Sequence, residues 1–414
     1  MTKTFMDRGD GRLPRGLLLL MSAATGLAVA GNYLAHPLLD LIGGELGLSP
    51  SLAALVVTAA QLGYGLGLIL LVPLGDLVER RRLAVMLYAA TSVFLLVSAT
   101  ATSGAALLAG TVLAALTSVG AQVVVPFAAT LARPAERGRV VGTVMTGLVL
   151  GLLLARTASG ALADLGGWRT AYWVQAGLMA LMAVLLRVFL PRLRTSAGLS
   201  YPALLRSTIG LLRSEPVLRW RAGIAAMALA SFSVLWTALT FLLAGPAYGW
   251  TESAIGLFGL AAAAGALAAS VAGRLADRGH VQKITAAGAA LMLASWLPIG
   301  LGGRSLLWLV VGVVVLDLAQ QAVLNSNQNV VYALRPEARN RVNSAFMTSY
   351  FAGGAAGSAL TSLVWAHAGW SGVSVLGAVL SAGALALWAG ERLTVRRSRN
   401  SSAHSAPAAA AVTG

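Results

Sequence analysis

Apolar runs of about 20 residues, the length a helix needs to span a hydrocarbon core of roughly 30 Å, recur twelve times along this chain of 414 residues. Their approximate limits are 16–36, 51–73, 83–101, 105–130, 140–163, 170–190, 220–243, 253–272, 284–301, 305–329, 342–366 and 371–390. Only 11% of the residues are charged, against about 25% in a soluble domain. The pattern predicts an all-α polytopic membrane protein with twelve transmembrane helices. The first run is too long for a removable signal peptide and has no small-residue cleavage site at its end, so it is expected to remain as span 1.

The net charge of +16 would suit a nucleic-acid partner if it were clustered, but its placement points elsewhere. Of the 30 basic residues, 27 lie in the N-terminus, the even-numbered loops and the tail. Arg169 and Arg304 lie in odd loops, and Arg156 lies inside span 5. Such one-sided charge predicts that both termini and every even loop face the cytoplasm of a plasma (inner) membrane. Cysteine is absent, which excludes disulfides and thiolate metal sites. The four histidines are scattered, so neither a metal cluster nor a nucleophile–base constellation is legible, and the chain is expected to be neither an enzyme nor a cofactor protein.

A repeat runs through the sequence at an offset of 202 residues. RPAERGRVVGTVMTG at 133–147 matches RPEARNRVNSAFMTS at 335–349, and the same offset takes Gly151 to Gly353 and Gly167-Trp168 to Gly369-Trp370. Span 5 thus maps onto span 11, and the chain divides into two six-helix repeats. The expected organisation is a half at 1–190, a basic cytoplasmic linker at 191–218 with at most short amphipathic helix, a second half at 219–392, and a disordered tail at 393–414. Parallel six-helix repeats with a site between them are the architecture of secondary transporters.

Three stretches carry a family resemblance. PLGDLVERRR (73–82) and its counterpart GRLADRGHVQK (273–283) follow spans 2 and 8; NYLAHPLL (32–39) ends span 1; VLNSNQNVVYALRPEARNRVNSAFMTSYFAGGAAGSAL (323–360) covers spans 10 and 11. On these the chain resembles the major facilitator superfamily, and within it the twelve-helix drug:proton antiporter group of bacterial exporters. The resemblance implies the major facilitator fold and a monomer in the lipid bilayer. It also implies proton-coupled export (efflux, drug resistance) of a small organic compound, whether drug, metabolite or sugar-like, by alternating access, with the proton gradient as energy source. One departure keeps a proton-coupled or facilitative importer of a small nutrient open as an alternative. Span 5 has Leu152 where the group has proline, and Ala155-Arg156 where it has a glycine pair.

An ionisable residue inside the membrane is a functional candidate with a partner to be named. Arg156, about 24 Å along span 5, and Asp317, about 18 Å along span 10 running the other way, come to similar depths. They are read as a proton-coupling pair, or else as a static buried ion pair. His36, at the end of span 1, is of a residue type that titrates in the right range to help load protons, although a histidine there is more often simply an interfacial residue. Helical spacing joins Asp317, Gln320, Gln321, Asn325 and Gln328 into a polar stripe. With Asn32, Gln61, Tyr64, Ser118, Gln122, Trp236 and Thr237 these are the candidate cavity residues, although interhelical bonding would also account for the hydroxyls. Asp76, Arg80 and Arg81, with Asp277 and Arg278, form the candidate conformational latch, in which each acid faces a helix N-terminus. Gly147 and Gly151, with Gly353 and Gly357, are expected to let helices approach closely.

Overall fold

The computed structural model describes residues 13–133, 136–193, 200–259, 281–335 and 339–404, and these are helical with no strand among them. The first half runs α1 (Arg15–Ala30), a 3-10 turn (His36–Leu38), α2 (Leu39–Leu46) and α3 (Pro50–Leu70). A second 3-10 turn (Val72–Asp76) leads to α4 (Arg80–Ala99), α5 (Gly104–Thr117), α6 (Gly120–Leu131), α7 (Arg137–Gly166) and α8 (Trp168–Phe189). Then come α9 (Tyr201–Ser214), α10 (Pro216–Ala244), α11 (Glu252–Phe258), α12 (Val281–Leu301), α13 (Leu306–Leu334) and α14 (Arg339–His404). Most of span 8 lies outside the described residues.

Among the described residues, nine helical stretches are long and apolar enough to cross a membrane. One of them, Arg341–Thr394, has 54 residues, about 80 Å of helix at 1.5 Å per residue, so it crosses twice. The turn between its two crossings is Gly369, whose φ of 53° is a backbone setting that glycine adopts without penalty. Four residues with positive φ occur among those described, and they are repeat-related pairs at the same 202 offset: Gly47 with Gly249, and Gly167 with Gly369. After the first pair, Ser49 and Thr251 cap the helices that follow, accepting from the N–H groups of Leu52 and Ala254. The duplication is therefore written into the backbone as well as the side chains.

Spans 1 and 4 are broken where single helices were expected. Helix α1 stops at Ala30, where the backbone bonds tighten to i→i−3 (Asn32 to Val29 and Tyr33 to Ala30), and the chain turns through residues 31–38, with Pro37 offering no N–H to the carbonyl of Tyr33. Span 4 divides into α5 and α6 at Ser118-Val119. Around that break the hydroxyls of Thr117 and Ser118 bond back to the carbonyls of Leu113 and Ala115, competing with the backbone ladder, and Pro126 leaves a carbonyl in α6 without its donor. The linker carries α9, tied across the arginine-rich end by Tyr201 Oη to the Leu70 carbonyl at 2.7 Å and by Arg341 to Ser207 at 3.0 Å. Where the sequence is expected to lose order, from 393, the backbone stays helical to His404. A formed helix extends at one bond per residue, and the next proline is Pro407.

The halves are packed through glycine. A Cβ on Gly147 would stand 2.1 Å from the Ser22 carbonyl oxygen and one on Gly151 2.2 Å from that of Gly26, so α1 and α7 touch backbone to backbone. Gly353 and Gly357 do the same for α14 against Ala226 and Ala230 of α10, at 2.2 Å each. Two seams join the halves, α3 along the first crossing of α14 and α7 along α11. Leu19, Leu297 and Leu363, each more than 60% exposed, belong to the outward apolar belt that lipid would cover. Gly151→Leu is expected to separate α1 from α7 and lower stability by at least about 1–3 kcal/mol. Gly142→Ala on the same helix, where a Cβ meets nothing within 4 Å, is expected to be neutral or slightly stabilising; thermal unfolding in detergent measures both.

Candidate functional site

The α7–α11 seam delivers Arg156 to the interior. Gly256 and Gly259 leave no side chain over it: a Cβ on Gly256 would be 2.5 Å from the Arg156 carbonyl oxygen, and one on Gly259 3.2 Å from Arg156 Cβ and Cδ. The Thr157 hydroxyl closes the seam on the Gly256 carbonyl at 3.0 Å. Arg156, only 4% exposed, is turned inward onto aromatic rings. Its guanidinium carbon lies 3.6 Å from the centroid of the Trp236 ring and 5.1 Å from that of Tyr33. Such contacts strengthen to roughly 2 kcal/mol when water is excluded. Asp317, on α13, is 5% exposed and close enough for the two charges to act on each other. No ion pair or hydrogen bond joins them: Arg156 Nε and Nη2 and Asp317 Oδ2 are buried without partners. The indole N–H of Trp236 lies beside the carboxylate without closing a hydrogen bond of ordinary geometry.

In front of Trp236 and Tyr33 lies a narrow cavity at the junction of the halves. Of the expected cavity residues, Asn32, Gln61, Tyr64 and Trp236 line it, and His36 lines it as well. Its volume is about 10 Å³, about that of a single water probe, so the halves are closed around it. The His36 ring stacks on Tyr33 at 5.4 Å and its carbonyl accepts from Thr240 of α10, which joins the halves beside the cavity. Thr237 faces elsewhere: it donates to Ser358 at 3.1 Å, where Thr58 of α3 also donates at 3.0 Å. Ser118 donates to Asn32 at 3.4 Å and Gln122 to Tyr64 at 3.4 Å. The stripe on α13 divides: Gln320 donates to Tyr350 at 2.9 Å, Gln328 lies 3.5 Å from Met347 Sδ, and Gln321 and Asn325 are half-buried.

At the arginine-rich end a cleft of about 60 Å³ lies between the halves, with Arg80, Gln122 and Pro126 on one side and Arg341 and Ser344 on the other. Of the candidate latch, Asp76 ends the second 3-10 turn. Arg80 donates to Thr130 at 3.0 Å, and Arg81 to the Leu190 carbonyl at 3.2 Å with Glu79 at 3.6 Å. These bonds tie α4 to α6 and α8 inside the first half. Asp277 and Arg278 lie outside the described residues.

A sequence profile described as Major Facilitator Superfamily matches residues 21–316 and, again, 247–412. The chain belongs to the major facilitator superfamily. It is 50% identical over 383 residues to the putative uncharacterized transporter YgaY of Escherichia coli (strain K12), covering 92% of this chain and 97% of that one. It is 28% identical over 288 residues to the chloramphenicol resistance protein of Streptomyces lividans, covering 69% and 72%. Among solved structures, a bacterial homologue of the human lysosomal transporter Spinster, inward-facing and occupied, superposes with a TM-score of 0.73 at 16% identity, over 92% of this chain and 96% of that one.

This superfamily chain also buries a further arginine, at the start of span 7, that sequence reasoning counted only among the even-loop charges. Arg221 on α10 is 0% exposed and Glu391, near the end of the apolar part of α14, is 4% exposed. They meet through two oxygens, Nε to Oε1 at 3.0 Å and Nη2 to Oε2 at 2.8 Å. Thr285 and Asn327 accept from Nη1 at 3.3 and 3.4 Å. The available signal was the length of α10, which begins at Pro216 and so draws Arg221 inside a helix. Removing one partner of a buried pair strands the other charge, whereas replacing both is often neutral. Glu391→Ala is therefore expected to cost about 3–5 kcal/mol of stability and the double substitution Arg221→Met/Glu391→Leu much less, as read by thermal unfolding in detergent.

Proposed function

We propose that this chain is a secondary active transporter that exports a small organic compound in exchange for protons, its two halves rocking about the α3–α14 and α7–α11 seams. The observation that carries this reading is Asp317: a carboxylate buried within the membrane at the meeting of the halves, facing a fixed cation, with one oxygen unpartnered. Ionised, it is drawn to Arg156; protonated, it releases that attraction and becomes a hydrogen-bond donor. A group whose charge alters the attraction between α7 of one half and α13 of the other biases which side of the cavity opens. Arg156 keeps its charge throughout and serves as the constant against which Asp317 switches. The resistance function named for the Streptomyces lividans relative supports the outward direction, with the termini and arginine-rich loops in the cytoplasm.

In energised inverted vesicles, Asp317→Asn is expected to abolish accumulation driven by a proton gradient while leaving exchange down a substrate gradient measurable. Full proton-driven accumulation by Asp317→Asn would overturn the mechanism. Proton-driven accumulation in right-side-out cells and none in inverted vesicles would establish import instead.

A further inference from the structure

The groups around Arg156 leave an uncompleted set of hydrogen bonds with a definite shape. The unpartnered donors there are Arg156 Nε and Nη2 and Trp236 Nε1 and the unpartnered acceptor is Asp317 Oδ2; Gln61 Oε1, on the cavity wall, and Gln320 Oε1, three residues from Asp317 on α13, are without partners as well. In a guanidinium, Nε–H and the outer Nη2–H point the same way and form one two-pronged edge that matches the two oxygens of a carboxylate. Arg221 shows that edge in use within this chain, with Nε donating to Oε1 of Glu391 and Nη2 in ion-pair contact with Oε2. In Arg156 the same edge is open. Buried polar groups of this kind are ordinarily satisfied, and leaving them without partners is costly.

Charge decides what completes the set. One fixed positive group and one carboxylate balance each other, and the other titratable groups acting on them are Tyr33 and His36. An anion placed on Arg156 would leave Asp317 as a surplus negative charge; a cation placed on Asp317 would leave Arg156 as a surplus positive one. Only a molecule carrying both signs pairs both groups and keeps the buried site neutral. The adjoining cavity wall supplies apolar surface from Leu229, Phe232 and Phe351.

We propose that this site takes a small zwitterion of the α-amino-acid class with an apolar side chain, its carboxylate on the Nε–Nη2 edge of Arg156, its ammonium on Asp317, and its side chain against Phe232 and Phe351. The inference rests on the exchange reading above and sharpens it. A proton on Asp317 removes the acceptor for the ammonium, so proton and substrate exclude each other at one carboxylate, as exchange requires. With about 10 Å³ of space at present, the molecule enters only when the halves part.

The test uses the full-length protein purified in detergent, with its unfolding temperature as readout. The probes are L-leucine, L-valine and L-phenylalanine, each beside its amide, which is a cation, and its N-acetyl derivative, which is an anion. At least one free amino acid is expected to raise the unfolding temperature by several degrees while its amide and N-acetyl forms do not. The shift should disappear in Arg156→Gln and in Asp317→Asn, whose unliganded unfolding temperatures report whether they fold. If either variant fails to fold, Gln320→Leu and Phe232→Ala are expected to weaken the shift. A shift from an amide or an N-acetyl compound without its parent amino acid, or from none of the probes, overturns the proposal. In liposomes containing the wild-type protein, an amino acid that binds but is never exchanged for protons would defeat the transport reading alone. Proton-driven export of another compound with no amino-acid binding would defeat this inference alone.

Discussion

Helices surrounded by hydrocarbon gain nothing from hiding apolar side chains from lipid, so what holds them together is contact and hydrogen bonding. In this chain that contact is backbone on backbone. Gly147 and Gly151 bring α7 onto Ser22 and Gly26, and Gly353 and Gly357 bring α14 onto Ala226 and Ala230. Everything placed at the junction of the halves depends on these approaches. α7 carries Arg156 outward from its grip on α1, and α14 carries Ser358 outward from its grip on α10. A wider spacing in the first pair would shift Arg156, and in the second Ser358, away from the groups it meets at the junction.

Two of the buried arginines, Arg221 and Arg156, show how one residue type serves different ends. Arg221 is closed on Glu391, Thr285 and Asn327, four helices knotted around one guanidinium within a single half. Arg156 stands where the halves meet, rests on ring faces instead of oxygens, and keeps its forked edge unspent. A saturated charge fixes geometry, whereas an unsaturated one in a dry place retains a capacity for something else to bind.

Much of the architecture was legible from the sequence because its signals are long: hydrophobic runs the width of a bilayer, arginines confined to alternate loops, and a repeat with a fixed offset. What escaped it was local. Span 1 reads as continuous through His36, yet the ladder ends at Ala30, and the turn that follows places Asn32, Tyr33 and His36 on the cavity. Span 4 reads as one helix because composition does not register Thr117 and Ser118 bonding back to the preceding turn. Arg221 lies just inside the limit of span 7 yet reads as loop charge, because charge at the edge of a span usually faces the loop, and Glu391, 170 residues away, gives no local sign of being its partner. Thr237 has helical spacing suited to the cavity, but its hydroxyl is spent on Ser358. Gly160, Gly256 and Gly259 are ordinary small residues until α7 and α11 are seen to cross at them.

Arg156 and Ser358 occupy the same place in the two copies of the repeat. At Ser358 the halves are stitched by a neutral hydroxyl bond from Thr58, with Thr237 of the same half donating to the same oxygen; at Arg156 they meet across glycines beside an unpaired cation. A molecule folded as a near-symmetric pair thus has two unlike fasteners. One is indifferent to pH and ionic strength, while the other sits beside a carboxylate that can gain or lose charge. Duplication alone would have made a device that opens equally on either flank. The change of one residue in one copy instead places on one flank a charge that the other flank lacks.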